Sequence, residues 1–184
     1  MVSVRHISLL LLSNLANDST PGLRSLDSIW AGQFIDRYLG EVITSKTAAR
    51  REEAPSGKDG HSYLFSLDWN YQIDEDDPEY NDEGIYPYVV DGQKYGSPTR
   101  FMNHSCNPNC KIIPVSRNHG DEFIYDLAFF AVKDISPLTE LTFDYYPDWP
   151  GDAKMKVDPN AVPCLCGEPN CRKQLWPNSR KGTK

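Results

Sequence analysis

The 184 residues carry 19 Lys and Arg against 26 Asp and Glu, a net charge of −7, with 39% hydrophobic and 24% charged residues. This composition fits one domain with a buried core; it excludes a disordered polyampholyte, and no apolar run nears the roughly 18 residues that a membrane span requires. The acidic balance argues against strong direct DNA binding through phosphate contacts and suits a cationic partner such as a basic peptide.

Residues 1–22 lack a clear hydrophobic period and close on Asn17 to Gly22, a loop signal rich in Asn, Asp, Ser, Pro and Gly. Met1 to Leu12 faintly resembles a signal peptide, but Ser13 and Asn14 interrupt its short apolar stretch. An ordinary strand or helix, or a stretch outside the domain, is the expectation there. Gln33 to Ile43 reads as one or two strands, rich in β-branched and aromatic residues. Thr44 and Ser45 then cap a short helix over Lys46 to Glu53. Ser62 to Trp69 alternates, which places Tyr63, Phe65, Leu67 and Trp69 on one face of a strand.

An acidic insert follows at about 74–87, with seven Asp or Glu between Asp74 and Glu83. Such a block is a solvated loop by default, with reception of a basic ligand as the sharper alternative. Tyr88 to Asp91, Ile112-Ile113, Phe123 to Val132 and Glu140 to Tyr145 read as further short strands. The sum is a mostly β domain of short strands with one short helix. Its long irregular connections are where sites usually lie.

Five cysteines cannot form a complete intrachain disulfide set. Cys164, Cys166 and Cys171 crowd into one short stretch, which reads as a metal knuckle in a reducing compartment. Two other segments are chemically dense. Arg100 to Asn109 contains Asn103-His104-Ser105-Cys106 between Pro98 and Pro108, a loop that taken alone is a hydrogen-bonded turn. Glu140 to Tyr145 taken alone is a core strand.

In this order, followed by the Cys-x-Cys-x4-Cys tail, these segments resemble the SET domain of protein lysine methyltransferases with its post-SET zinc segment. The similarity is greatest to the heterochromatin-type histone H3 methyltransferases, especially the fungal ones, and runs from about Gly22 to Trp176. It implies the SET fold: several small sheets of short strands, few short helices, and a pseudoknot joining the Arg100 and Glu140 segments. It divides the chain into an unmatched segment 1–22, a SET domain over 23–147, and a post-SET zinc segment with a basic tail over 148–184.

The same resemblance implies methyl transfer from S-adenosylmethionine to a lysine of the histone H3 tail, lysine nine, in the nucleus on chromatin. Tyr145 is then the catalytic tyrosine and Tyr63 a second phenol lining the lysine channel. Phe143 stands where the family sets the number of methyl groups, and a Phe there implies di- and trimethylation. Arg100, Phe101, Asn103, His104, Tyr145 and Trp176 become cofactor contacts, with Leu175 and Trp176 closing over cofactor and channel. Cys106 becomes the fourth zinc ligand beside Cys164, Cys166 and Cys171, and Cys110 is left over.

The chain departs from the family pattern on its N-terminal side and at Lys94, which stands where an aromatic is common. A Gly-Trp-Gly-like cofactor segment is replaced by Ser19 to Arg24, where the Trp and first Gly are missing, and the cysteine-rich pre-SET cluster is absent. Two readings follow. One is an active histone-lysine methyltransferase. The other is a silent or truncated SET module that binds a histone tail or chromatin partner without turnover.

Overall fold

The computed structural model describes residues 7–13, 21–53, 63–69, 88–116, 123–147 and 161–175. These residues divide into two units, one drawn from 1–33, 101–111 and 130–184 and the other from 34–100 and 112–129. The acidic insert, the basic tail and Trp176 lie outside the described residues.

In the second unit, the stretch from Gln33 to Ile43, read as one or two strands, forms two: β3 (Phe34–Tyr38) and β4 (Glu41–Thr44). The helix α1 (Ser45–Glu53) starts where the sequence places its cap: the Thr47 N–H donates to Thr44 Oγ1 at 3.3 Å. β5 (Leu64–Ser66) and β6 (Tyr88–Asp91) complete an antiparallel sheet in the order β4-β6-β5. Helix α1 brings Ala48 to Ile43 and Val89, with Leu64 packed against them, so the apolar face of the sheet is covered. Arg51, in the last turn of α1, pairs with Glu41 at 2.9 Å and with the buried Asp91. That guanidinium pulls the Glu41 carboxyl below its usual value.

The strand expected from Ser62 to Trp69 is shorter. The Leu67 N–H bonds to the Tyr88 carbonyl at 3.0 Å, one residue beyond the end of β5. Leu67 is buried, whereas Trp69 is 70% exposed and its N–H donates to the Tyr125 hydroxyl. Trp69 therefore does not share a buried face with Leu67.

A second three-stranded sheet has the order β3-β9-β8, from β9 (Asp126–Ala131) and β8 (Cys110–Val115). Ile35, Leu127 and Phe129 are buried on these strands.

In the first unit, β1 (Leu9–Ser13) pairs antiparallel with β2 (Pro21–Ser25), in a register from Leu9 opposite Ser25 to Ser13 opposite Pro21. The segment without a clear period thus contains a strand, made where the apolar Leu9–Leu12 run finds β2. β2 and the chain after it run along residues 131–141. Leu141 N–H bonds to Leu23 O and Leu138 N–H to Ser25 O, each at 2.7 Å, and Ile29 pairs with Ile135. Leu23, Ile29, Ile135 and Leu141 are all buried there.

The remaining sheet is two residues long. β7 (Asn103–His104) lies parallel to β10 (Thr142–Phe143), with Asn103 opposite Thr142 and His104 opposite Phe143. Asn103-His104 is therefore paired backbone rather than a free loop. Among the described residues the fold is mostly β with one α-helix, plus a 3-10 turn over Pro98–Phe101. No helix among them is long and apolar enough to cross a membrane.

Candidate active site and metal centre

The β7–β10 pair brings together sequence nearly forty residues apart. Asn109 holds the two segments in register. Its Nδ2 donates to the Glu140 carbonyl at 2.7 Å and its Oδ1 accepts from the Thr142 N–H at 2.9 Å. Asn109 is buried, so these bonds face little competition from water.

Phe143 is buried and Tyr145 half-buried, their ring centroids 4.8 Å apart. The Tyr145 hydroxyl donates to the Met102 carbonyl at 2.9 Å. That bond uses the phenol's only hydrogen, so toward any other group the oxygen can act only as an acceptor. The Tyr145 N–H donates to His104 Nδ1 at 3.1 Å, and the two rings meet edge to face, 5.3 Å between centroids. Burial, opposed by Asp144 and aided by Arg172, holds the His104 imidazolium down to about 4. The ring is neutral at pH 7.

Asn103 donates from Nδ2 to Glu140 Oε1 at 2.8 Å, and the other carboxylate oxygen faces Arg24 at 3.4 Å. Arg24 also donates to the Leu138 carbonyl at 2.7 Å. This fixes the Asn103 amide, leaving Oδ1 as its free-facing acceptor end. Gly22, in the sequence that departs from the family pattern, lies against this carboxylate. A Cβ there would come within 2.6 Å of Glu140 Oε1, so only glycine fits without displacing it.

The sulfur atoms of Cys106, Cys164, Cys166 and Cys171 all lie within 4.8 Å of one another. A tetrahedron with Zn–S arms of about 2.3 Å has S–S edges of about 3.8 Å. Cys106 and Cys164 are 3.8 Å apart and no pair exceeds 4.8 Å, so the four sulfurs fit around a zinc ion. Electrostatics point the same way. Burial pushes the Cys164 and Cys106 thiols up. At Cys166 burial is outweighed by the N–H groups of Cys106 and Glu168 and by the adjoining thiols, which draw it down to about 7. Four crowded thiols of this kind ionise together only around a cation.

The tail is folded to supply them. Pro163 and Gln174 form an antiparallel bridge, Cys164 N–H bonds to Lys173 O, and Gly167 turns at φ 73° after Cys166. Arg172 donates through both terminal nitrogens to Asp144, the residue before Tyr145, and Asn170 Nδ2 donates to Cys106 O at 2.9 Å. Cys110 stands apart from the cluster, fully buried, its thiol pushed up by burial to about 12.

Phe143, Tyr145, Asn103, His104 and the four cysteines thus fall in the first unit, together with Phe101. Tyr63 and Arg100 belong to the second, where the Arg100 guanidinium carbon lies 4.5 Å from the Tyr63 ring centroid. Sequence reasoning did not single out Glu140, Asn109, Arg172 or Met102. Glu140 and Asn109 close the two dense segments and Arg172 follows Cys171, but their roles depend on which distant atoms meet them. Met102 acts through its carbonyl, which no side-chain pattern announces.

The profile of the SET domain matches residues 21–146. The histone-lysine N-methyltransferase, H3 lysine-9 specific, of Schizosaccharomyces pombe is 47% identical over 162 residues, 84% of this chain and 30% of that protein. Histone-lysine N-methyltransferase, H3 lysine-9 specific dim-5 of Neurospora crassa is 44% identical over 160 residues, 84% of this chain and 47% of that protein. A chain solved in work on the product specificity of histone lysine methyltransferases superposes with a TM-score of 0.73 at 40% identity, over 94% of this chain and 57% of that one. This chain therefore spans less than half the length of these two curated relatives.

Proposed function

The chain belongs to the SET domain family, and from that membership we propose that it is a protein-lysine N-methyltransferase acting on lysine nine of the histone H3 tail. S-adenosylmethionine is the methyl donor, the products are the di- and trimethyl forms, and the setting is nuclear chromatin. The net charge of −7 suits so basic a peptide. One observation carries the reading: the parallel pairing of Asn103–His104 with Thr142–Phe143, which gathers Tyr145, Asn103 and four thiols in one unit.

The chemistry asked of these residues is modest and specific. A lysine ammonium has a reference pKa near about 10.4 and cannot attack until it loses a proton. Apolar, aromatic walls disfavour the charged form and lower that value. The freed amine lone pair attacks the sulfonium methyl in line; the C–S bond breaks and the donor leaves as a neutral thioether. Tyr145 offers its oxygen as an acceptor to the amine and the passing methyl, because its own proton is committed to Met102. Phe143 lines the channel beside it and Tyr63 supplies the second phenol. Arg100, Phe101, Asn103, His104 and Trp176 receive the donor, with Asn103 Oδ1 turned to the methionyl ammonium because its Nδ2 is held by Glu140. Zinc on Cys106, Cys164, Cys166 and Cys171 cross-links the tail to the β7 segment and takes no part in the transfer.

The test is mass spectrometry of a histone H3 tail peptide incubated with the zinc-loaded chain and S-adenosylmethionine, alongside Tyr145→Phe. Methylation of lysine nine is expected, with a loss of roughly 100-fold or more in the variant, the scale of a preorganised catalytic group. A folded, zinc-loaded chain that binds the peptide but leaves it unmodified would favour the silent module. The altered sequence at Ser19 to Arg24 is the feature that points to that second reading.

A further inference from the structure

We propose that His104 is a positioning residue that couples zinc-bound Cys106 to the backbone of Tyr145, one ring nitrogen serving each. The inference rests on the reading of Tyr145 as the catalytic tyrosine and of the four cysteines as a zinc site, and it assigns His104 a task beyond cofactor contact.

The tautomer follows from donor and acceptor logic. A backbone N–H can only donate, and that of Tyr145 ends 3.1 Å from His104 Nδ1, so Nδ1 carries no hydrogen. A neutral imidazole then bears its hydrogen on Nε2, which lies 3.3 Å from Cys106 Sγ. The only assignment that satisfies both contacts has Nε2–H donating to the sulfur. Asp144 Oδ1 is 3.6 Å from Nδ1, but Arg172 holds that carboxylate through two nitrogens, so it does not draw a proton onto Nδ1. The His104 side chain is 4% exposed, so the ring has little room to reorient.

A thiolate on a metal keeps lone pairs that accept N–H donors, and such outer bonds fix ligand orientation and tune the metal. Here the outer donor also accepts the amide of the residue whose hydroxyl meets the substrate. Zinc therefore sets the Cys106 sulfur, the sulfur sets the imidazole, and the imidazole sets the turn after β10 from which Tyr145 projects. Without the metal the Cys106 sulfur is no longer held in place, the ring loses its anchor, and the Tyr145 amide loses its fixed partner.

Two substitutions separate the halves of this link. His104→Asn puts an amide oxygen near the position of Nδ1 but does not reach the sulfur. His104→Gln extends an amide N–H toward Nε2 but offers nothing at Nδ1. Using the full chain, zinc affinity is measured by chelator competition and the thiolate-to-metal absorption is recorded with Co2+ in place of Zn2+. The tautomer of His104 is read from 15N-histidine NMR of the zinc-loaded protein, with the variants assigning the signal.

The expected results are an Nε2–H tautomer and, for His104→Asn, zinc binding about 10- to 100-fold weaker with a shifted cobalt band. His104→Gln should keep the band and affinity of the parent while kcat on the H3 peptide falls at similar KM. An Nδ1–H or doubly protonated ring, or a His104→Asn protein with unchanged zinc affinity and cobalt band, would overturn the proposal. A parent chain without a four-thiolate cobalt spectrum would remove the zinc reading beneath it. A parent with that spectrum but no methyl transfer would remove only the enzymatic reading, and the NMR and metal results would still decide the link.

Discussion

On the proposed reading, the absence of one oxygen atom at Phe143 would set how many methyl groups the channel admits. The ring is buried, 5% exposed, and lies 4.8 Å from the Tyr145 ring. A hydroxyl added there would be buried, and a buried hydroxyl takes a partner. In the proposed channel its partner would be a water molecule or the lysine amine, and either would restrict the amine's rotation once it carries a methyl group. Phe143→Tyr is expected to shift the products toward monomethyl-lysine by about tenfold in the mono-to-trimethyl ratio, equivalent to about 1.4 kcal/mol between successive barriers. A mass-spectrometric time course on the H3 peptide reads this directly. An unchanged product distribution would sink the assignment of Phe143. The expectation for Phe143 came from the resemblance, which is carried by local motifs. The roles of Glu140 and Arg172 were not legible, since nothing in their neighbourhood states that one would hold the Asn103 amide and the other the carboxylate before Tyr145.

At the scale of elements, the site hangs on a strand pair too short to hold itself. Two residues on each side form β7 and β10, and the buried Asn109 side chain extends the pairing by imitating a strand's N–H and C=O. Asn109→Ala would leave the Glu140 carbonyl and the Thr142 N–H without that partner in a buried place, at about 1–3 kcal/mol each. For a chain of this size about 2–4 °C of Tm is lost per kcal/mol, so a drop of several degrees or more is expected by calorimetry. Asn109→Asp keeps the acceptor for Thr142 and loses the donor for Glu140, and should fall between the two. Equal Tm values for all three proteins would show that the clamp is not needed. β6 and the cap of α1 could be read from the sequence because β-branched runs and a Thr before a polar helix are periodic or positional signals. β7 could not: two residues have no period.

At the scale of the whole molecule, the first unit is assembled from three separate stretches, 1–33, 101–111 and 130–184. No local pattern indicates which distant segments will pair, and the resemblance carried that information where periodicity could not. The cysteines offer a way to observe the assembly, because the structure protects them by two different means. Cys106, Cys164, Cys166 and Cys171 would be guarded by a metal, whereas Cys110 is guarded by burial alone, with no exposed surface and a thiol pushed up to about 12. Alkylation needs a thiolate and access to it. The zinc-loaded protein should therefore resist iodoacetamide at all five positions. A chelator should open four, with Cys166 among the fastest because its thiol already lies at about 7. Cys110 should react only after denaturant is added. Mass spectrometry of the labelled chain then reads four modifications before unfolding and a fifth after it. If Cys110 reacts together with the other four on chelation, zinc supports the core strands around β8 as well as the tail. If the four react freely before any chelator is added, their protection does not come from a metal.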